Sequence, residues 1–207
     1  SAERNVRLER FVDELDRSSV ATFDQKSDVH VQMNSYYRYD DIDAGIIKHS
    51  DWIIEAAKKA TADQRKKIGQ AAVSAYVNKA EALAGQGMND KALALLASAK
   101  TDLKDFKAAV DRAVDPEVDR LKLVGGPGAA IIAPRWLNMP SGKNEIAMPG
   151  SVTLLEFSAH WCTPCKEEIP RLRAWEQKLA QAGTPMSVEL VSIDDDERQL
   201  RQFLSTQ

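Results

Sequence analysis

Residues 151–170 read SVTLLEFSAHWCTPCKEEIP. The first nine form a nearly continuous apolar run, with the length expected of a central parallel strand buried on both faces. HWCTPCKEEIPRLRAWEQKLAQAG, residues 160–183, reads as the helix that follows it. MSVELVSID (186–194) is then a second buried strand and DERQLRQFL (196–204) a second helix. The order β-α-β-α fits half of an α/β sandwich with right-handed crossovers.

This order puts Cys162 at a junction of strand and helix, where free backbone N–H groups and the helix dipole stabilise a thiolate. A thiol at its ordinary pKa of about 8.5 is mostly protonated at neutral pH, and the thiolate is the nucleophile. Cys165, three residues on and one turn deeper, is placed to attack a mixed disulfide formed at Cys162. Thr163 and Pro164 restrict the loop between them, and such local differences help set a redox poise. The competing readings of the pair are a metal half-site and an inert buried pair. The chain has only two cysteines, and a closed zinc site needs four ligands, which His30, His49 and His160 do not complete; a dimer would have to supply four thiolates. The redox reading is preferred, with no metal and no cofactor expected.

WCTPCKEEIP, preceded by LLEFSAH and followed by VELVSIDDD, resembles the thioredoxin superfamily. Within it the likeness is to the TlpA/ResA-like group of exported thiol-disulfide oxidoreductases, which APRWLNMPSGKNEIAMPG (133–150) also resembles in its approach to the first strand. The resemblance covers residues 131–207. It implies Cys162 as attacking thiolate and Cys165 as resolving partner, with Trp161 shielding the active cysteine and Trp161, Thr163 and Pro164 facing substrate. Pro170 matches the family proline that kinks this helix through loss of an intrahelical hydrogen bond. Glu156 stands where thioredoxins hold a buried acid, and Glu168 at the acidic position of a Glu-x-Pro segment. The family fold also implies further strands after the second helix and a cis-proline loop that binds substrate backbone. Pro185 precedes the second strand and is not that proline, so the segment reads as C-terminally incomplete.

Glu156 stands out without the family, because a carboxylate in an otherwise apolar strand is desolvated and its pKa raised. It is read either as proton acceptor for the Cys165 thiol or as a side chain that snorkels to a sheet edge or pairs with a lysine. Glu168, with Lys166 nearby, reads equally as a tuning group and as a solvated surface charge. His160 is read as an exposed residue without a catalytic role.

The N-terminal region is rich in Ala, Lys and Asp and poor in Pro and Gly, a shift in composition that marks a domain boundary. Val6, Leu8, Phe11, Val12 and Leu15 recur at helical spacing over Arg4–Leu15. Helical patterns also span 42–60 and 62–84, the latter with Thr61 as N-cap. Gly85 and Gly87 break that run, and another helix carries Ala92 through Phe106. Residues 18–39, where VATF and VHVQM fit short strands or helix turns, receive no assignment. Asp115-Pro116 reads as N-cap and first position of a short helix to about Val124. The hairpin at about 70–104 resembles a tetratricopeptide repeat: Tyr76, Ala80, Leu83, Gly87, Ala92, Leu96 and Ala99 fall at its large and small packing positions. Lys79 stands where an apolar residue is usual, no Pro closes the unit and one copy is found, so an Ala-rich bundle is the competing reading.

The expected organisation is therefore α followed by α/β: a helical bundle over 1–124, a Gly/Pro linker at 125–130, and a partial thioredoxin-like segment over 131–207. A formal net charge of −3 over 207 residues, with no basic cluster interleaved with aromatics, argues against nucleic acid. No apolar run approaches the roughly 20 residues needed to span a bilayer. The N-terminus lacks the regions of a signal peptide and begins without Met, which leaves room for a leader removed by processing. Two functions are weighed: thiol-disulfide exchange with protein thiols or disulfides, in which the helical region docks a protein partner, and a helical interaction module beside a redox-inactive platform. The family likeness implies a bacterial periplasm or cell-envelope location.

Overall fold

The computed structural model describes residues 2–126, 137, 152–184 and 186–205. The expected linker beyond Gly126, the segment 131–150 apart from Leu137, and Pro185 lie outside the described residues. The chain divides into two compact units, 1–128 and 129–207. The described part is mostly helical, with one small parallel sheet. Among the described residues no helix is long and apolar enough to cross a membrane.

The first unit holds α1 (Ala2–Arg17), α2 (Phe23–Tyr39), α3 (Asp43–Lys59), α4 (Ala62–Gly85), α5 (Asn89–Asp102), a 3₁₀ turn (Lys104–Phe106) and α6 (Lys107–Lys122). Each helix from α1 to α6 packs on the next, and α4 also touches α2 and α6. Thr61 caps α4 as expected, accepting from the Gln64 N–H (3.3 Å) while the Gln64 side chain accepts from the Thr61 N–H (2.9 Å). The α4–α5 hairpin turns at Gly87, whose φ of +75° lies in the left-handed region that glycine enters freely. Ala80, Ala92 and Ala99 have no exposed surface and share one core with Tyr76, Leu96, Leu103, Val110 and Leu121.

Of residues 18–39, unassigned from sequence, Phe23–Tyr39 form α2. Thr22 and Gln25 make the same reciprocal cap as Thr61 and Gln64. Its buried positions, Ser27, His30, Met33, Asn34 and Tyr37, keep a helical period, but three of the five are polar, so apolar periodicity could not show it. Asp115-Pro116 does not start a helix, which corrects that reading: Pro116 lies inside α6, whose buried Val110, Val114, Glu117 and Leu121 recur every three or four residues. Packing along that face outweighs the hydrogen bond that proline removes. The helix expected through Phe106 stops at Asp102, where the chain tightens into the 3₁₀ turn. On α1 only Val12 of the apolar stripe is fully buried, and Val6 and Phe11 remain exposed.

Polar side chains fill part of this unit. His30 and His49 are buried, and their Nδ1 atoms lie 2.9 Å apart. His30 Nε2 contacts Asp16 (3.1 Å) and His49 Nε2 contacts Glu9 (2.9 Å). Glu9 also accepts from Tyr37 (2.6 Å) and pairs with Lys48, which reaches Asp13 (3.1 Å) as well. His30 stacks on Trp52 at 4.0 Å. Burial pushes both imidazoles below their ordinary value, against the pull of Asp16 on His30 and of Glu9 on His49. Burial pushes the Glu9 carboxyl up, but hydrogen bonds from Lys48, Tyr37 and His49 outweigh it and hold the group down at about 2. Nearby, Asn34 donates to the Ile46 carbonyl (3.0 Å) and Ser50 (2.8 Å) and accepts from Asn78 (2.5 Å), which satisfies a second buried polar set.

The second unit holds β1 (Val152–Ser158), α7 (Thr163–Gln181), β2 (Met186–Ser192) and α8 (Glu197–Leu204). β1 and β2 pair in parallel, from Val152 opposite Met186 to Ser158 opposite Ser192. The β-α-β-α order agrees with the sequence reading. The expectation of strands buried on both faces does not hold among the described residues: both strands are half-buried, and Phe157 is exposed. Val188 and Leu190 line a cleft with Ile169, Arg173, Glu176 and Gln177 of α7, so the helix covers their side of the sheet. Phe157 alternates to the other side.

Two measurements check this packing. A Cβ added at Gly69 would overlap the Phe106 ring, whereas one at Gly85 would meet only Asp43 Oδ2 at 3.9 Å. Helix propensity alone favours Ala at both sites; we expect Gly69→Ala to lower stability in urea by about 1–3 kcal/mol and Gly85→Ala not to. Equal effects would refute the Phe106 contact.

The pH dependence follows from the Glu9 cluster. Its carboxyl is lowered on folding, so its contribution is fully present above pH 4.5 and is lost as pH falls towards about 2. The lowered imidazoles act in the same direction below pH 6.5. Urea midpoints of the full chain should fall from pH 6.5 to 3, and Glu9→Gln should cost about 2 kcal/mol at pH 7, allowing for partial exposure. A midpoint independent of pH in that range would contradict this account.

Candidate functional site

β1 ends at Ser158 and the chain crosses a short loop to α7, with Cys162 as the helix N-cap. Its backbone is extended (φ −81°, ψ 94°), and its Sγ accepts the Cys165 backbone N–H at 3.3 Å. The Cys162 N–H donates to the Ala159 carbonyl at 3.0 Å, closing a turn over His160 and Trp161. Cys162 and Cys165 form a disulfide with their Cα atoms 5.3 Å apart. Pro164 stands in the first turn of α7, where a missing N–H costs nothing. One sulfur therefore caps the Cys165 N–H in the first turn of α7, and the other lies one turn along the helix within bonding reach.

Trp161 is 64 % exposed, and Thr163 and Pro164 are also exposed, so these three residues present a surface beside the cysteines. Pro170 lies inside α7 between the buried Ile169 and the exposed Arg171, and the Lys166 carbonyl loses its usual donor there. Ile169 and Leu172 anchor the helix.

Glu156 lies opposite Leu190 in the ladder, on the side of the sheet that α7 covers. It is half-buried rather than enclosed. Glu168 is half-exposed and pairs with Arg171 one turn on (3.4 Å), the geometry of a surface ion pair. Lys166 instead stands over the Phe203 ring at 5.3 Å. Thus Cys162, Cys165, Trp161, Thr163 and Pro164 are gathered at one helix end, Glu156 lies on the strand leading to it, and Glu168 faces outward.

The structure adds a pair that the sequence did not single out. His160 donates its backbone N–H to both carboxylate oxygens of Asp194 (3.1 and 3.0 Å) and meets Oδ1 again through Nδ1 (2.6 Å). A carboxylate only accepts, so Nδ1 carries the proton. Ser192 donates its hydroxyl to Asp194 Oδ2 (2.9 Å) and accepts the Asp194 N–H (3.0 Å). Burial pushes the Asp194 carboxyl up, but the bonds from His160 and Ser192 prevail and hold it below its ordinary value. His160 is therefore a tethered, half-buried residue and not a free surface one. The signal available in the sequence was an acid just past the second strand in SIDDD, but which of three consecutive aspartates turns inward depends on the loop.

Residues 138–202 match the Thioredoxin family. The chain is 33 % identical over 57 residues to a thioredoxin-like protein, YneN, of Bacillus subtilis (strain 168), a match covering 28 % of this chain and 34 % of that protein. It is 29 % identical over 92 residues to nucleoredoxin of Xenopus laevis, covering 44 % and 22 % of the two chains. It is 36 % identical over 62 residues to probable nucleoredoxin 3 of Oryza sativa subsp. japonica, covering 28 % and 13 %. The match thus spans about a third or less of the length of these relatives. No solved structure matches. The family match falls within the second unit.

Proposed function

We propose that this chain exchanges disulfides with protein substrates through Cys162 and Cys165. The observation that carries the reading is Cys162 at the N-cap of α7, its Sγ accepting the Cys165 N–H. A reduced Cys162 at this position gains the helix dipole and a donor that favour its thiolate, which lowers a thiol pKa from about 8.5 towards 7 or below. The thiolate attacks one sulfur of a substrate disulfide. A Cys162–substrate mixed disulfide forms, and the other substrate sulfur leaves as a thiolate. Cys165 loses its proton and attacks Cys162 Sγ, closing the disulfide present here and releasing the second substrate thiolate. The cysteine pair is oxidised by two electrons and the substrate reduced by two; with a dithiol substrate the same steps run in reverse. Glu156, on the α7 side of β1, is the proposed acceptor for the Cys165 proton, and exposed Trp161, Thr163 and Pro164 the surface that meets substrate.

Two finer assignments belong to the same reading. The Glu168–Ile169–Pro170 segment and the 133–150 motif support a TlpA/ResA-like subtype, and with it a periplasmic or cell-envelope setting. The α4–α5 hairpin, with small residues Ala80, Ala92 and Ala99 at its packing positions, supports a tetratricopeptide-like element that docks a protein partner.

The test uses the full chain. Cys162→Ser should reduce insulin-disulfide reduction at least about a hundredfold, the effect expected on removing a nucleophile. Cys165→Ser should accumulate mixed disulfides with protein substrates that dithiothreitol releases. Retained partner recovery without any covalent adduct would instead favour a helical interaction module beside a redox-inactive platform.

A further inference from the structure

We propose that Asp194 is a positioning residue for Cys162, acting through His160 as a latch between the end of β2 and the loop that enters α7. This deepens the exchange reading above and rests on it. The Asp194 side chain has no exposed surface, and a carboxylate is withdrawn from water at a high cost unless its oxygens are saturated with donors. They are. Both oxygens accept from the His160 backbone N–H, Oδ1 also from His160 Nδ1, and Oδ2 also from the Ser192 hydroxyl. Ser192 in turn accepts the Asp194 N–H, so the carboxylate is oriented from its own strand before it reaches across.

The recipient of this clamp decides its meaning. His160 is two residues before Cys162, inside the turn closed by the Cys162 N–H on the Ala159 carbonyl. One step earlier, the Ser158 carbonyl accepts the Ile193 N–H at 3.0 Å. The path from β1 to the N-cap is therefore tied to β2 at Ser158 and at His160, and the N-cap position is what gives Cys162 Sγ the Cys165 N–H. A shift of about 1 Å in this loop is enough to misplace a reactive group. Because the His160 and Ser192 bonds hold the Asp194 carboxyl below its ordinary value, the latch stays ionised throughout the range in which a thiol titrates.

The prediction concerns the Cys162 titration. In reduced full-length Cys165→Ser protein, iodoacetamide alkylation followed against pH reports Cys162 alone. Adding Asp194→Ala should raise the midpoint by about one pH unit and slow alkylation below the parent midpoint about tenfold. Asp194→Asn should stay within about twofold of the parent, because its amide oxygen still accepts the His160 N–H. Superimposed curves for parent and Asp194→Ala would overturn the latch, as would an Asn variant that falls as far as Ala, since that points to charge instead of hydrogen bonding. If circular dichroism shows that Asp194→Ala does not fold, Ser192→Ala decides: a rise in midpoint supports the latch and an unchanged midpoint overturns it. A parent midpoint near the ordinary thiol value of about 8.5 overturns the exchange reading together with the latch, whereas a depressed parent midpoint that Asp194→Ala leaves unmoved overturns the latch alone.

Discussion

β1 and β2 run parallel and in register, so Ser158 and Ser192 finish side by side at one edge of the sheet. Parallel neighbours cannot be joined by a tight turn; the chain must travel back along the sheet, and here α7 makes that crossing. Its N-terminus is thereby placed beyond the ends of both strands, where Cys162 serves as its cap. The loop after β2 reaches the same edge, which is how Asp194 meets His160 across 34 residues of sequence. The arrangement of the site is a consequence of strand direction: had the two strands run antiparallel, the end of β2 would lie at the opposite edge. Open α/β sheets place their ligands at this edge for the same reason.

The same constraint divides the work among the residues of the second unit. Ile169, Leu172, Val188 and Leu190 hold α7 against the sheet, while Glu176 of α7 accepts the Val188 N–H at 3.2 Å and satisfies a backbone donor of β2. At the N-terminal end of α7 the Cys162 sulfur takes the Cys165 N–H and the Cys162 carbonyl that of Lys166. That sulfur contributes a polarizable acceptor, and the helix contributes partial positive charge, a pairing that favours the thiolate without any basic side chain.

The first unit is built on other terms. Its apolar core runs from Ile53 through Leu121, but α1, α2 and α3 also meet around His30, His49, Glu9 and Lys48, which are linked by hydrogen bonds and ion pairs. Such a network fixes one arrangement of the helices because each member satisfies the next, and its members lose that balance when the carboxylates take up protons.

Residues whose chemistry is local were legible in the sequence. The strand–CxxC–helix order, the cap at Thr61 and the place of Cys162 at the start of a helix each follow from neighbours within a few positions. α2 was not legible by apolar period, because its inward face carries Ser27, which bonds back to the Phe23 carbonyl, and His30 and Asn34, whose partners lie on other helices. Pro116 misled for a related reason: a local breaker was overruled by burial of Val110, Val114 and Leu121. Glu156, read as either a desolvated acid or one that snorkels to a sheet edge or pairs with a lysine, is half-buried. The sequence by itself determined the cysteine pair and its place at the start of a helix, since covalent spacing and helix capping act within one turn. Only the tertiary structure decided that Asp194, among three successive aspartates, turns inward to hold His160, because that choice depends on where two parallel strands end.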